Sequence, residues 1–285
     1  MPAWPAQAGS FPFPHVTLSL IAAFLVLGAF TGFAAGLLGI GGGMLLVPFL
    51  TMLLTSQGFP LGQIVKIAIA TSLTTILFTS LSSVRAHARR GAVRWDIART
   101  LAPGIVVGSM LGAQVASWLP GPVLAIAFGL FVGTMATQML RRRKISADRT
   151  LPGTAGMFGM GGTIGALSAL AGAGGGFITV PFLTRSNVRI HEAVATSAAC
   201  GFPIALAGTL GYVIAGWNLS LPSGTVGYIY VPALAAIVAT SVLTAPLGAK
   251  VAHAMSVERL RRLFAVLLYV LAAYMMWKGI VAARA

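Results

Sequence analysis

Acidic residues are almost missing from this 285-residue chain: Asp96, Asp148, Glu192 and Glu258 are the complete set. None falls deep inside an apolar stretch, where the carboxylates of proton relays and cation sites sit in membrane proteins. A cation pump and an intramembrane aspartyl protease are therefore disfavoured. Cysteine occurs once, as Cys200, which excludes an internal disulfide and a cysteine metal cluster; it reads as a small buried hydrophobe. The four histidines, His15, His87, His191 and His253, lack metal-ligand spacing, and His191-Glu192 reads as a helix cap at an interface. No nucleophile elbow, phosphate loop or dinucleotide fingerprint occurs in a strand context, so neither an enzyme activity nor a cofactor or metal is expected. Residues 1–15 contain neither Lys nor Arg, unlike the basic start of a secretory signal, and the first helix is expected to be retained.

Apolar residues make up 57% of the chain and charged residues 8%, against about 25% charged in an average soluble domain. The mean hydropathy is +0.91. Most apolar runs exceed the roughly 20 residues that a helix needs to cross hydrocarbon, and the alternation of a membrane barrel is missing. These features give an all-α polytopic membrane protein whose surroundings are a lipid bilayer. The net charge of +15 does not indicate nucleic acid, because the basic residues lie in short loops between spans.

One phrase occurs twice: Gly39-Ile-Gly-Gly-Gly-Met-Leu-Leu-Val-Pro-Phe-Leu50 and Gly172-Ala-Gly-Gly-Gly-Phe-Ile-Thr-Val-Pro-Phe-Leu183. Glycine costs about 1 kcal/mol in a helix interior and proline about 3 kcal/mol, so a plain spanning helix would not gather them here in both halves. Paired, glycine-interrupted apolar segments are the best sequence pointer to a transporter's binding site. The halves also share Ala70-Thr71-Ser72 with Ala195-Thr196-Ser197, Leu111-Gly112-Ala113 with Leu247-Gly248-Ala249, and Pro103 with Pro232. An external segment 1–15, a first repeat 16–140, a basic cytoplasmic linker 141–151 and a second repeat 152–285 follow.

Full spans are expected near 16–38, 64–84, 98–118, 122–140, 153–171, 191–215, 227–249 and 260–281. Shorter helices at 44–56 and 177–185 reach about half the bilayer. Each half is thus a broken-helix hairpin plus three transmembrane helices, giving eight full spans or ten segments. All basic residues except Lys66, Lys278 and Arg284 cluster at 85–99, 141–149, 185–189 and 250–262, while 118–121 and 216–226 hold none. The positive-inside rule puts those clusters in the cytoplasm. The first hairpin then enters from outside and the second from inside, an inverted repeat in the bacterial cytoplasmic membrane with both termini outside. Whether the hairpins are re-entrant or fully spanning is left open.

In that arrangement two helix N-termini converge near the midplane. Each carries unpaired N–H groups and about half a positive charge, which makes an anion site without a charged side chain. Gly41, Gly42, Gly43, Gly174, Gly175 and Gly176 would let backbone donors approach the anion, and Pro48 and Pro181 would shape the short helices early in their course. Thr71, Ser72, Thr196 and Ser197, opening the span after each hairpin, would add hydroxyls, although back-bonding to a helix carbonyl is the competing use. Close helix packing is the competing use of the glycines. Asn187, Gln63 and Gln114 read as packing residues, and Lys66 as a lysine snorkelling to the headgroups.

The stretches Gly36-Leu-Leu-Gly-Ile-Gly-Gly-Gly43 with Val47-Pro48, and Ala171-Gly-Ala-Gly-Gly-Gly176 with Val180-Pro181, carry a resemblance, as do both Ala-Thr-Ser triplets and Arg89-Arg90-Gly91. From about residue 20 to 280 the chain resembles the sulfite exporter TauE/SafE family of bacterial membrane transporters, also called the toluene sulfonate uptake permease family. The resemblance implies movement of sulfite, sulfonates, sulfoacetate or thiosulfate, with export the default because sulfite is toxic inside. Exporting a small sulfur-containing anion is the resulting expectation. A passive anion channel, proton-coupled uptake and a structural or sensor protein are the alternatives, and monomer or homodimer is left open.

Overall fold

In hydrocarbon each backbone N–H must find its acceptor within its own segment, so apolar runs of this length become helices. The computed structural model describes residues 17–38, 42–59, 61–89, 91–140, 150–254 and 257–284. Among them are α1 (Leu18–Leu38), α2 (Gly43–Ser56), α3 (Leu61–Arg89), α4 (Trp95–Trp118), α5 (Gly121–Leu140), α6 (Thr154–Ala171), α7 (Gly176–Arg185), α8 (Ile190–Gly216), α9 (Val231–Ala254) and α10 (Val257–Arg284). Eight of these are long and apolar enough to cross a membrane. The short ones are α2 and α7, with 14 and 10 residues. The fold is therefore all-α and polytopic. A minor addition is an antiparallel ribbon pairing Thr225–Val226 with Ile229–Tyr230, just before α9.

The main helix pairs are α1 with α9, α4 with α6, α5 with α10, and α3 with α8; α8 also packs on α4 and α3 on α9. Exchanging the first five helices with the last five turns this set into itself. The first two pairs swap, the α3–α8 and α5–α10 pairs map onto themselves, and α4–α8 becomes α9–α3. At the centre stand α3 and α8, with 78% and 56% of their most apolar 18-residue stretch buried, against at most 44% for that of the other spans. Small residues build the outer seams. A Cβ on Gly28 or Gly32 would strike Ile237 or Ser241 of α9, and one on Gly104 or Gly108 would strike Phe158 or Gly162 of α6. Helix backbones meet this closely when glycine removes the side chain.

Two expected details change. Pro103 lies two turns inside α4 while Pro232 is the second residue of α9, so the two prolines are not equivalent. Leu111-Gly112-Ala113 and Leu247-Gly248-Ala249 do occupy matching positions. Pro48 and Pro181 are each the sixth residue of their short helix, beyond the first turn, so each removes a helical hydrogen bond instead of occupying a free position. Three residues after each proline a threonine bonds back: Thr51 Oγ1 donates to the Val47 carbonyl at 2.8 Å and Thr184 Oγ1 to the Val180 carbonyl at 2.9 Å. The repeated phrase thus extends one residue further than its apolar part, to Val-Pro-Phe-Leu-Thr.

Candidate functional site

The glycine phrase works differently in its two copies. In the second, Gly172 ends α6 at φ +61° and Gly175 precedes α7 at φ +76°, left-handed backbone that a side chain strains. In the first, Gly42 precedes α2 with φ −68°, while Gly39, Ile40 and Gly41 lie outside the described residues. Gly42 and Gly175 occupy the same place: Leu45 and Leu46 donate to the Gly42 carbonyl, and Ile178 and Thr179 to the Gly175 carbonyl. Among the described residues no side chain caps either helix.

That leaves first-turn donors over. Among the described residues, the N–H groups of Gly43, Met44, Gly176 and Phe177 have no acceptor. Gly43, Met44 and Gly176 are buried and Phe177 is half-buried. Buried N–H groups normally find partners, and among the described residues these two helix starts supply none.

The two copies touch. A Cβ on Gly43 would collide with the Gly172 carbonyl oxygen, and Ser72 Oγ donates to that oxygen at 2.9 Å, with the Gly43 carbonyl 3.3 Å away. A Cβ on Gly175 would strike Ile204, whereas one on Gly174 would meet nothing nearer than Ile76 Cγ2 at 3.5 Å. Gly174 therefore has room beside it. Nearby, Thr179 and Ser168 carry fully buried hydroxyl oxygens without a partner among the described residues; Ser168 Oγ lies 3.2 Å from where a Gly175 Cβ would be.

The Thr-Ser pairs sit inside α3 and α8, not at their openings. All four residues are buried. Thr71 Oγ1 accepts the Tyr230 N–H at 3.0 Å and Thr196 Oγ1 accepts the Arg94 N–H at 3.0 Å. Tyr230 and Arg94 are the residues just before α9 and α4. Each threonine thus fastens the start of a helix that follows a connection, Thr71 in the opposite half for α9 and Thr196 in the opposite half for α4. Nothing in the sequence flags this use except the pairing of the two triplets.

The two ends of the bundle differ. At the arginine-rich end, Arg94 binds Asp96 at 2.7 Å and lies 3.8 Å from Glu192. A cleft of about 260 Å³ there is lined by Val84, Trp95, Arg99, Ala199, Phe202 and Pro203. At the other end Tyr230 packs edge-on between Phe59 and Phe24, with centroids at 5.2 and 6.0 Å, and Tyr212 meets Tyr228. Lys66 does not snorkel: it is 7% exposed and its Nζ donates to the Ser117 carbonyl. Gln114 Nε2 donates to the Gly211 carbonyl at 3.1 Å, and Asn187 adopts φ +63° in the turn after α7. Cys200 is buried.

Eight helices long and apolar enough to cross a membrane, around two broken helix starts, describe a multi-pass membrane protein. The profile of the sulfite exporter TauE/SafE proteins matches residues 24–275, and the chain belongs to that family. A probable membrane transporter protein of Haemophilus influenzae is 36% identical over 258 residues, covering 89% of this chain and 97% of the relative. Another from Methanocaldococcus jannaschii is 28% identical over 91% of this chain and 96% of its own length. A third, from Bacillus subtilis, is 27% identical over 90% and 97%. No solved structure matches the chain.

Proposed function

We propose that this protein is a secondary transporter that exports a small sulfur-containing anion, sulfite or an organosulfonate, across the bacterial cytoplasmic membrane. The anion is held between the starts of α2 and α7 by the N–H groups of Gly43, Met44, Gly176 and Phe177, with Gly42 and Gly175 turning the chain into the helices and Gly174 leaving it space. Gly41 completes the set by its place in the first phrase. The hydroxyls of Thr71, Ser72, Thr196 and Ser197 frame the site. The observation that carries this reading is the pair of buried helix starts whose N–H groups have no acceptor among the described residues, beside a shared Ser72 contact.

The helices fall into repeats 16–140 and 152–285, inverted relative to one another, with the linker 141–151 and the arginine-rich end inside and both termini outside. The exchange symmetry of the helix pairs supports two equivalent halves, and the loop charges support the inversion. Alternating access then rocks one half against the other around a site near the midplane. An inside-negative potential favours anion exit by about 2.3 kcal/mol per charge per 100 mV, so export needs no coupling ion.

Counterflow of sulfite in proteoliposomes tests this. Saturable counterflow that Gly174→Val removes is expected. Flux that never saturates would mean a channel, and its absence for sulfite, sulfoacetate, taurine and thiosulfate alike would overturn the reading.

A further inference from the structure

Lys66 is a buried cation with no carboxylate beside it among the described residues. It lies in the first turns of α3 at 7% exposure. Its Nζ donates to the carbonyl of Ser117, in the last turn of α4, and sits 5.9 Å from the centre of the Tyr228 ring. An ammonium has three donors, and one carbonyl with a ring face is a poor substitute for the counter-charge that a buried ion requires.

Among the described residues no carboxylate supplies that charge locally. The chain's acidic residues are Asp96, Asp148, Glu192 and Glu258. Asp96 is in the first turn of α4, roughly 30 Å along that helix from Ser117 at 1.5 Å per residue. Glu192 lies beside Arg94, at the same distant end. Gly62 of α3 touches Gly121 at the start of α5, and Gly279 near the end of α10 touches Pro122. The start of α5 and the end of α10 therefore share the Lys66 end of the bundle.

The surroundings of Lys66 are polar and incomplete. Ser117 Oγ donates to the Gln114 carbonyl at 2.7 Å, and Gln114 ties to Gly211 of α8. One turn before Lys66, Gln63 Oε1 is buried with no partner among the described residues; a half-turn of that carboxamide would present N–H donors in its place. The group thus offers a positive charge and, with the Gln63 carboxamide turned, an amide donor, with no carboxylate beside them among the described residues.

We propose that Lys66 is a second, outer station for the transported anion, where a sulfur oxyanion replaces the Ser117 carbonyl as the partner of the ammonium. This rests on the anion-transport reading above. In proteoliposomes with defined orientation, Lys66→Met raises the half-saturating sulfite concentration at least tenfold on the Lys66 face and changes it less than threefold on the opposite face. Lys66→Arg keeps both within threefold of wild type. Equal shifts on both faces, or none, in folded Lys66→Met would overturn the proposal, since a lysine that merely caps α4 changes stability without sidedness.

A measurement on the unmodified chain guards against misfolding of the variant. Methanesulfonate should slow acetylation of Lys66 by acetic anhydride at least threefold, read by peptide mass spectrometry, and leave Lys278 unchanged. Equal Lys66 rates with and without methanesulfonate would overturn the site. Protection without any sulfite counterflow would keep the site and remove the transport reading.

Discussion

The starts of α4 and α9 use the same fastening and cover it in opposite ways. At each, a threonine from a central helix accepts the N–H of the preceding residue at 3.0 Å: Thr196 for Arg94, Thr71 for Tyr230. Around Arg94 the connection from α3 is short and charged, and a cleft lies beside it. Around Tyr230 the connection from α8 is longer, carries the small ribbon, and buries Tyr228, Ile229 and Tyr230. The hydrogen bond belongs to what the halves share. The aromatic cover is an addition to one half.

The comparison breaks first at the aromatic cover. Tyr230→Ala empties a site between Phe59 and Phe24 and should cost about 3–5 kcal/mol, read by equilibrium unfolding in mixed micelles. Trp95→Ala, at the half that lacks the cover, removes a 45% exposed ring and should cost well under a third of that. Equal losses would show that the aromatic cover adds nothing to stability.

The glycine phrases give the next effect. Gly43→Ala drives a methyl into the Gly172 carbonyl and should destabilise by about 1–3 kcal/mol. Gly174→Ala meets only Ile76 at 3.5 Å and should leave the unfolding transition unchanged while lowering sulfite counterflow at least tenfold. A normal transport rate in Gly174→Ala would move the site elsewhere.

The shared fastening itself comes third. Thr71→Val and Thr196→Val each leave a backbone N–H unserved and should each cost about 1–3 kcal/mol, with matching values. A much larger loss for Thr71→Val would mean that the aromatic cover depends on it. The smallest effect belongs to the charged surface: Asp96→Asn breaks an exposed pair with Arg94 and should change stability by no more than about 0.5 kcal/mol.

Much of the fold is legible in the residues because hydrocarbon permits little else. An apolar run long enough to span must be a helix, so the eight long helices lie within five residues of their expected limits and the short α2 and α7 within one. The broken helices are legible from glycine and proline cost. Lys66 departs from its expected role because a lysine near a helix end has two outcomes, reaching to the headgroups or folding inward. The neighbour that decides is Ser117, 51 residues away. Pro48 and Pro181 fall deeper than expected because the helix start depends on where Gly42 and Gly175 turn. Thr71 and Thr196 are marked by their repetition, yet their acceptor role comes from partners in the opposite half.

The sequence by itself determined the membrane class, the ten helical segments, the two phrases and the confinement of acidic residues to the basic connections and their flanks, because each follows from local composition and backbone cost. Tertiary structure decided that Gly43 meets Gly172 under Ser72, that the threonines bind across halves, and that Lys66 is enclosed against a carbonyl and a ring. Those facts depend on which helices become neighbours, and in a bilayer that choice is made by the fit of small residues along whole helix faces, which no short stretch of sequence displays.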